Sequence, residues 1–302
     1  MKDNRILWRG ELTTRRTLYK RGFGYLSSGF LWLMIFLLVP SILFIAVSFA
    51  TRGEWGDLVW KFTWENYQRF FGFGYFGWAP DTLLIMLRSI IVGFVTTLIS
   101  VIFSYPLSFF IASRPPRSRY FWLTVVIIPF WTNMVIRTYA WFYLLDPALP
   151  LAKLAAFFGI IPEGMPLYPN EFAVYLGMVS VFLPFVTLPL YSSVEKLDWS
   201  LVEAAQDLYS SRIRVFMQAI LPQTIPGLGV GIILTFVPAM ATFVVPDLLG
   251  GAKYMLIGNL IQQQFDSSRD WPYGAAVSMG LMVLTMISLQ IYTRGGKEIE
   301  IL

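Results

Sequence analysis

The chain has 302 residues, 56% of them hydrophobic and only 14% charged, with a net charge of +5 and a mean hydropathy of +0.62. Soluble domains carry about 25% charged residues, so this composition excludes an ordinary soluble protein. Histidine and cysteine are both absent, which excludes disulfide frameworks, thiol nucleophiles, imidazole bases and the usual zinc sites.

Residues 1–24 form a basic tail with Lys2, Arg5, Arg9, Arg15, Arg16, Lys20 and Arg21, suited to water or a lipid surface rather than to a folded domain. The uncharged run that follows, 22–51, is too long for the core of a signal peptide and lacks a small-residue cleavage site. It is expected to be an uncleaved anchor, with the first transmembrane helix over 25–50. Further uncharged runs lie at 89–113, 120–136, 172–194, 215–246 and 271–293. A membrane-crossing helix needs about 20 apolar residues, so the pattern predicts six spans. The third is interrupted by Arg137 before 138–145 completes its length.

Between the first two spans, 51–82 is an external loop rich in aromatics. Trp64-Glu65-Asn66-Tyr67-Gln68-Arg69-Phe70-Phe71 reads as a short amphipathic helix. The segment fits either an aromatic belt at headgroup level or a docking surface for an extracellular partner. Pro106 near the end of the second span is tolerable where neighbouring helices satisfy freed backbone groups. The next loop, Arg114-Pro115-Pro116-Arg117-Ser118-Arg119, is basic wherever it is charged. The loop after the third span sets Lys153 against Asp146, Glu163 and Glu171, and its apolar patch 151–161 is too short to span, which predicts an external interfacial helix. Charge asymmetry therefore places both termini and the second and fourth loops in the cytoplasm. The same distribution argues against nucleic acid as the partner of the positive charge. In the fifth span, Gly227 and Gly231 have the spacing that lets helices pack closely within the subunit.

The polar loop 195–222 is the most informative interruption. Ser200-Leu201-Val202-Glu203 has the form of a capping box, with Ser200 as N-cap, and predicts a helix through Leu208. Ala204 and Ala205 keep one face small, while Leu201, Val202, Ala205, Leu208 and Tyr209 put apolar bulk at helical spacing. Pro222 is expected in the first turn of the following span. Taken alone, the segment fits an amphipathic helix on the membrane surface.

The order Glu203-Ala204-Ala205, Leu208, Phe216, Ile220, Leu221, Pro222 resembles the cytoplasmic coupling loop of ABC importer permeases. Tyr209 departs from the glycine usual there, and Ser210 from the frequent alanine. A glycine at that point turns the chain cheaply, so Tyr209 alters the local loop geometry. The resemblance extends through Pro129-Phe130-Trp131-Thr132, Arg137-Thr138-Tyr139-Ala140-Trp141, Phe182-Leu183-Pro184-Phe185 and Pro246-Asp247-Leu248-Leu249-Gly250-Gly251. Ile257-Gly258-Asn259-Leu260-Ile261 and Trp271-Pro272-Tyr273-Gly274-Ala275-Ala276 complete it. Together these motifs are similar to the spermidine/putrescine branch of the family.

The resemblance implies an all-α membrane protein of the ABC type-1 importer permease fold, with six transmembrane helices. The permease domain would occupy 83–293, five helices with the coupling loop 195–222 between spans four and five, and 294–302 would be a cytoplasmic tail. It implies a pore subunit, not an enzyme, in a bacterial cytoplasmic (inner) membrane. Its partners would be a second homologous permease subunit, an ATP-binding subunit dimer and an extracytoplasmic polyamine-binding protein. The chain itself would bind no cofactor, and ATP and magnesium would be used by the ATPase. Ser200, Glu203, Ala204, Ala205, Leu208 and Tyr209 would meet that ATPase.

A polyamine path wants aromatic faces for cation–π attraction and carboxylates for charge. Tyr139, Trp141, Phe142, Tyr143 and Asp146 supply that mixture near the outer end of the third span, and Asp247, Tyr254, Asp270, Trp271 and Tyr273 supply it around the last external loop. Each aromatic taken singly fits an interfacial belt better, whereas Asp247 ends a long apolar run directly before Leu248-Leu249-Gly250-Gly251. Arg137, about 25 Å along a helix from Tyr120, could snorkel outward or pair with Asp146. A secondary transporter, the rival class, would need coupling-ion ligands at the midplane and repeated halves, and the sequence displays neither. A permease for another small organic solute is the nearer alternative.

Overall fold

The computed structural model describes residues 27, 29–74, 77–208, 211–251 and 254–299, with backbone alone at 291 and 293–299. The basic tail 1–24 and Tyr209 lie outside the described residues. Helix α1 (Gly29–Ser48) leads to two small antiparallel hairpins flanking a short helix. The hairpins are β1 (Thr51–Arg52) with β2 (Leu58–Val59), and β3 (Phe73–Gly74) with β4 (Gly77–Trp78). Between them lies α2 (Glu65–Phe70), the short helix expected from the sequence. Then come α3 (Asp81–Ala112), α4 (Pro116–Ile127), α5 (Met134–Leu144), α6 (Pro150–Phe157), α7 (Glu171–Glu195) and α8 (Trp199–Asp207). The chain ends with α9 (Arg212–Ala241), α10 (Val244–Gly250), α11 (Ile257–Phe265) and α12 (Trp271–Ile299).

Among the described residues, five helices are long and apolar enough to cross a membrane: α1, α3, α7, α9 and the Trp271–Gln290 stretch of α12. The sixth span is broken. Pro116–Trp131 and Met134–Leu144 meet at 96°. The first half ends in a 3-10 turn over Ile128–Trp131 containing Pro129, and Asn133 starts the second by accepting the Val135 amide. Proline and a capping side chain together account for so sharp a bend.

The core is the packing of α3, α7 and α9. Val92, Val174, Met178, Val181, Phe182 and Ala239 are buried in one cluster with Val245 and Leu249 of α10. Small residues let the backbones approach: a Cβ at Gly231 would stand 2.9 Å from Val186 Cα, and one at Gly227 would strike the Pro189 carbonyl and Ser193. Their spacing thus serves packing inside the subunit. Hydroxyls add polar stitching, with Ser104 2.8 Å from Thr187 and Tyr105 3.0 Å from Thr224. Helix α1 lies along α12 and leaves most of its apolar side chains exposed, as expected of a lipid-facing helix.

Two expectations need correction. The fifth span does not run to Pro246. It stops at Ala241, Thr242 is extended, and α10 restarts at Val244. The break is held from a distance: Asn259 donates to Phe243 O at 3.0 Å, and a Cβ at Gly258 would lie 2.9 Å from Thr242 O. Pro222 does not open its span either. The helix begins at Arg212 and passes through a π-turn, Phe216–Ile220, just before Leu221 and Pro222. The wider turn accommodates a residue that lacks an amide hydrogen. The helical backbone of α12 runs on past its apolar stretch to Ile299.

Candidate coupling face and substrate path

Helix α8 and the loop residues around it occupy the end of the bundle where α3 and α7 finish and α9 begins. Its N-cap is Asp198, not Ser200. Asp198 Oδ1 accepts the Ser200 amide at 3.0 Å and the Ser200 hydroxyl at 2.7 Å. A charged acceptor two residues earlier out-competes the hydroxyl, and the box between Ser200 and Glu203 does not form. The Ser200 hydroxyl and then its amide hold the Asp198 carboxyl below the usual carboxylate range. Asp198 N also donates to Gln223 Oε1 at 2.9 Å, fastening the start of α8 to α9.

The inner face of α8 is apolar and narrow. Val202 is buried with Val215 and Ala219, and Ala205 and Ile220 pack against them. Trp199 meets the Phe109 ring edge-on, 6.5 Å between centroids. The outer face is free: Leu201, Glu203, Ala204, Gln206 and Asp207 are exposed. Leu208 is 80% exposed and Ile213 78%. A small-residue face flanked by the Glu203 and Asp207 carboxylates and by bare leucine and isoleucine has the character of a protein contact rather than of a catalytic site. Ser200, Glu203, Ala204 and Leu208 therefore share one accessible surface, and Ala205 lies at its edge.

At the opposite end, the candidate path residues separate into three settings. Tyr139 and Tyr143 are exposed on α5, while Trp141 is half-buried and donates its indole N–H to Ser180 Oγ at 2.7 Å. Asp146 turns back to accept the Ala148 amide at 2.9 Å, closing the α5–α6 turn. Asp247 is exposed in the first turn of α10. Tyr254, which follows α10, packs against the same apolar cluster as Trp141, so these two groups share one side of the core. Burial, and next the Glu171 carboxylate, push the Tyr254 phenol above its ordinary range, and Arg88 stands 5.8 Å over its ring.

The third setting lies elsewhere. Trp271 packs on Phe265, which meets Phe44 of α1, placing it on the peripheral side of the bundle. Asp270, 2% exposed, is already paired: Arg69 reaches its carboxylate at 2.9 Å and lies 4.2 Å over the Tyr273 ring. Tyr273 in turn bonds Thr82 at 2.5 Å. This knot ties α2, α3 and α12 together and leaves Asp270 and Tyr273 no free group for a passing cation. Sequence reasoning could not see it, because Arg69 and Asp270 are far apart in the chain. Arg137 does not pair with Asp146. Its Nε and Nη1 are buried without hydrogen-bond partners, and its guanidinium faces the Phe130 ring at 5.7 Å.

The chain has clear relatives. The family model for binding-protein-dependent transport system inner membrane components matches residues 104–294. The spermidine/putrescine transport system permease protein PotB of Haemophilus influenzae is 39% identical over 268 residues, covering 89% of this chain and 91% of that protein. PotB of Escherichia coli is 38% identical over 266 residues, 88% and 94% of the two chains. The inner membrane ABC transporter permease protein YdcU of Escherichia coli is 28% identical over 229 residues, 72% and 73% of the two. Among solved structures, a chain of a bacterial ABC transporter that imports the acidic polysaccharide alginate superposes with a TM-score of 0.65 at 14% identity, covering 94% of this chain and 98% of that one. That likeness carries the fold: α3 to α12 adopt the importer permease arrangement. With its fold and its family model in agreement, the chain belongs to the inner membrane components of binding-protein-dependent transport systems.

Proposed function

We propose that this protein is a pore subunit of an ATP-driven importer for polyamines, spermidine or putrescine. The observation that carries the reading is identity of 38–39% to PotB proteins along nearly nine-tenths of the chain. Two features agree with it. Helix α8 offers a small, mostly polar docking face, and the opposite end offers exposed Tyr139, Tyr143 and Asp247, which suit a flexible cation with several ammonium groups.

In this reading α8 faces the cytoplasm, both termini lie there, and Glu203, Ala204, Ala205 and Leu208 seat in an ATP-binding subunit. A second, homologous permease subunit completes the pore. A binding protein delivers the polyamine to the face that carries α6, α10 and α11. ATP, with magnesium, binds and is hydrolysed in the ATPase dimer, whose closure carries α8 with it and shifts the pore between two access states. This chain contributes contact and shape, and no bond-making group.

Uptake of radiolabelled spermidine and putrescine in cells lacking this gene, then restored with its neighbouring operon, tests the reading. Loss and rescue of uptake of either polyamine is the expected result. Unchanged uptake of both moves the substrate to another small solute, although the importer family stands.

A further inference from the structure

The end of the bundle near α8 holds a charged contact that neither the docking face nor the path explains. Arg119, in the first turns of α4, donates from Nη1 to Glu195 Oε1 at 2.5 Å. Its Nη2 donates to the Ala112 carbonyl at 2.9 Å, the last residue of α3. One guanidinium therefore joins three elements: the end of α3, the first half of the broken span, and the last residue of α7. Glu195 stands three residues before Asp198, the cap of α8.

A cleft of roughly 720 Å³ lies beside the pair, walled by Phe109, Ala112, Arg119, Val194, Glu195 and Trp199. Trp199 is the first residue of α8 and touches Phe109 of α3. Any tilt of α8 thus moves one wall of this cleft while Arg119 spans another. The two charges are only partly exposed, at 25% and 41% of their side chains. A two-point, charge-assisted contact of this kind fixes direction better than a single surface ion pair.

We propose that Arg119 is a positioning residue that transmits movement of α8 to the broken third span. Glu195 moves with the base of α8, Arg119 follows it, and α4 carries the displacement to the 96° bend between Trp131 and Met134. The Ala112 carbonyl keeps the guanidinium aimed, so that the pull acts along α4. The proposal rests on the reading of α8 as the ATPase-docking helix.

The test uses the whole importer in proteoliposomes: this chain, its second permease, the ATPase and the binding protein. Arg119→Gln and Glu195→Gln are compared with the exchanged pair, Arg119→Glu with Glu195→Arg, and with Glu203→Lys as control. Each single variant is expected to lower uptake about fivefold, within the range by which coupling residues alter linkage. Assembly of the complex and its ATP hydrolysis without binding protein remain as in the parent, and the exchanged pair, which restores the ion pair but not the bond to the Ala112 carbonyl, recovers a measurable part of the lost uptake. A folding defect would instead lower assembly of the complex. Normal uptake in both single variants, or loss that the exchange does not restore, overturns the proposal. Should Glu203→Lys leave uptake intact, it is the reading of α8 that fails, a separate outcome.

Discussion

The attachment of α8 to the bundle is weak enough to be altered by one methyl-bearing side chain. Val202 is 3% exposed and is held by Val215, Ala219, Ala205 and Ile220. Val202→Ala removes two methyl groups, a transfer loss of ~1.6 kcal/mol at ~0.8 kcal/mol per buried carbon. The void left behind raises the cost to roughly 2.5 kcal/mol where α8 does not settle inward. All five residues of that cluster lie on α8 or the first turns of α9, so the loss falls on the docking of α8 and not on the α3–α7–α9 core. At 1.4 kcal/mol per tenfold, the undocked population rises about 14- to 60-fold. Hydrogen exchange followed by mass spectrometry reads this directly, as faster exchange over Trp199–Asp207 with Leu221–Ala241 unchanged. Equal protection in the variant, or equal loss across both segments, would refute the reasoning.

Three further predictions follow from the same geometry. Glu203→Lys inverts the charge of an exposed residue of α8, so it should abolish uptake while membrane insertion and yield stay at the parent level; ATP-coupled uptake in that variant would remove Glu203 from the docking face. Asp247→Asn keeps shape but deletes an exposed carboxylate, and should raise the apparent KM for polyamine a few-fold, the worth of ~1 kcal/mol; unchanged kinetics would take Asp247 off the path. The Asp198 cap is pH-dependent: its folded value lies below the ordinary 3.8, so its contribution is complete above that value and is lost as pH falls through the folded one. Exchange protection of α8, corrected for intrinsic rates, should be flat from neutral pH down to about 5 and fall only in stronger acid; a decline centred near neutrality would contradict the assignment of the cap.

Much of the architecture was legible because membranes impose long uncharged runs, and α8 stood out because its polar residues interrupt two of them. The break of the third span was half legible. Arg137 marked an interruption, but the 96° bend comes from Pro129 and the Asn133 cap acting together. The end of α9 was not legible. Thr242 and Phe243 continue an apolar run, and only Gly258 and Asn259, arriving from a later helix, force the chain to stop. The cap of α8 was misplaced by two residues, since an acid and a serine both satisfy the local pattern and geometry alone chooses between them. Asp270 and Tyr273 read as candidates for a cation path because no local signal points to Arg69. The knot they form exists only once α2 folds against α12. Tyr139, Tyr143 and Asp247 are exposed, as the proposed path requires.

The most direct test of the account is ATP-dependent accumulation of radiolabelled spermidine and putrescine by proteoliposomes holding the complete importer and its binding protein. The account predicts accumulation of at least one of the two, dependent on ATP and on the binding protein, and lost with Glu203→Lys. Accumulation driven by an ion gradient without ATP, or retained with Glu203→Lys, would contradict it.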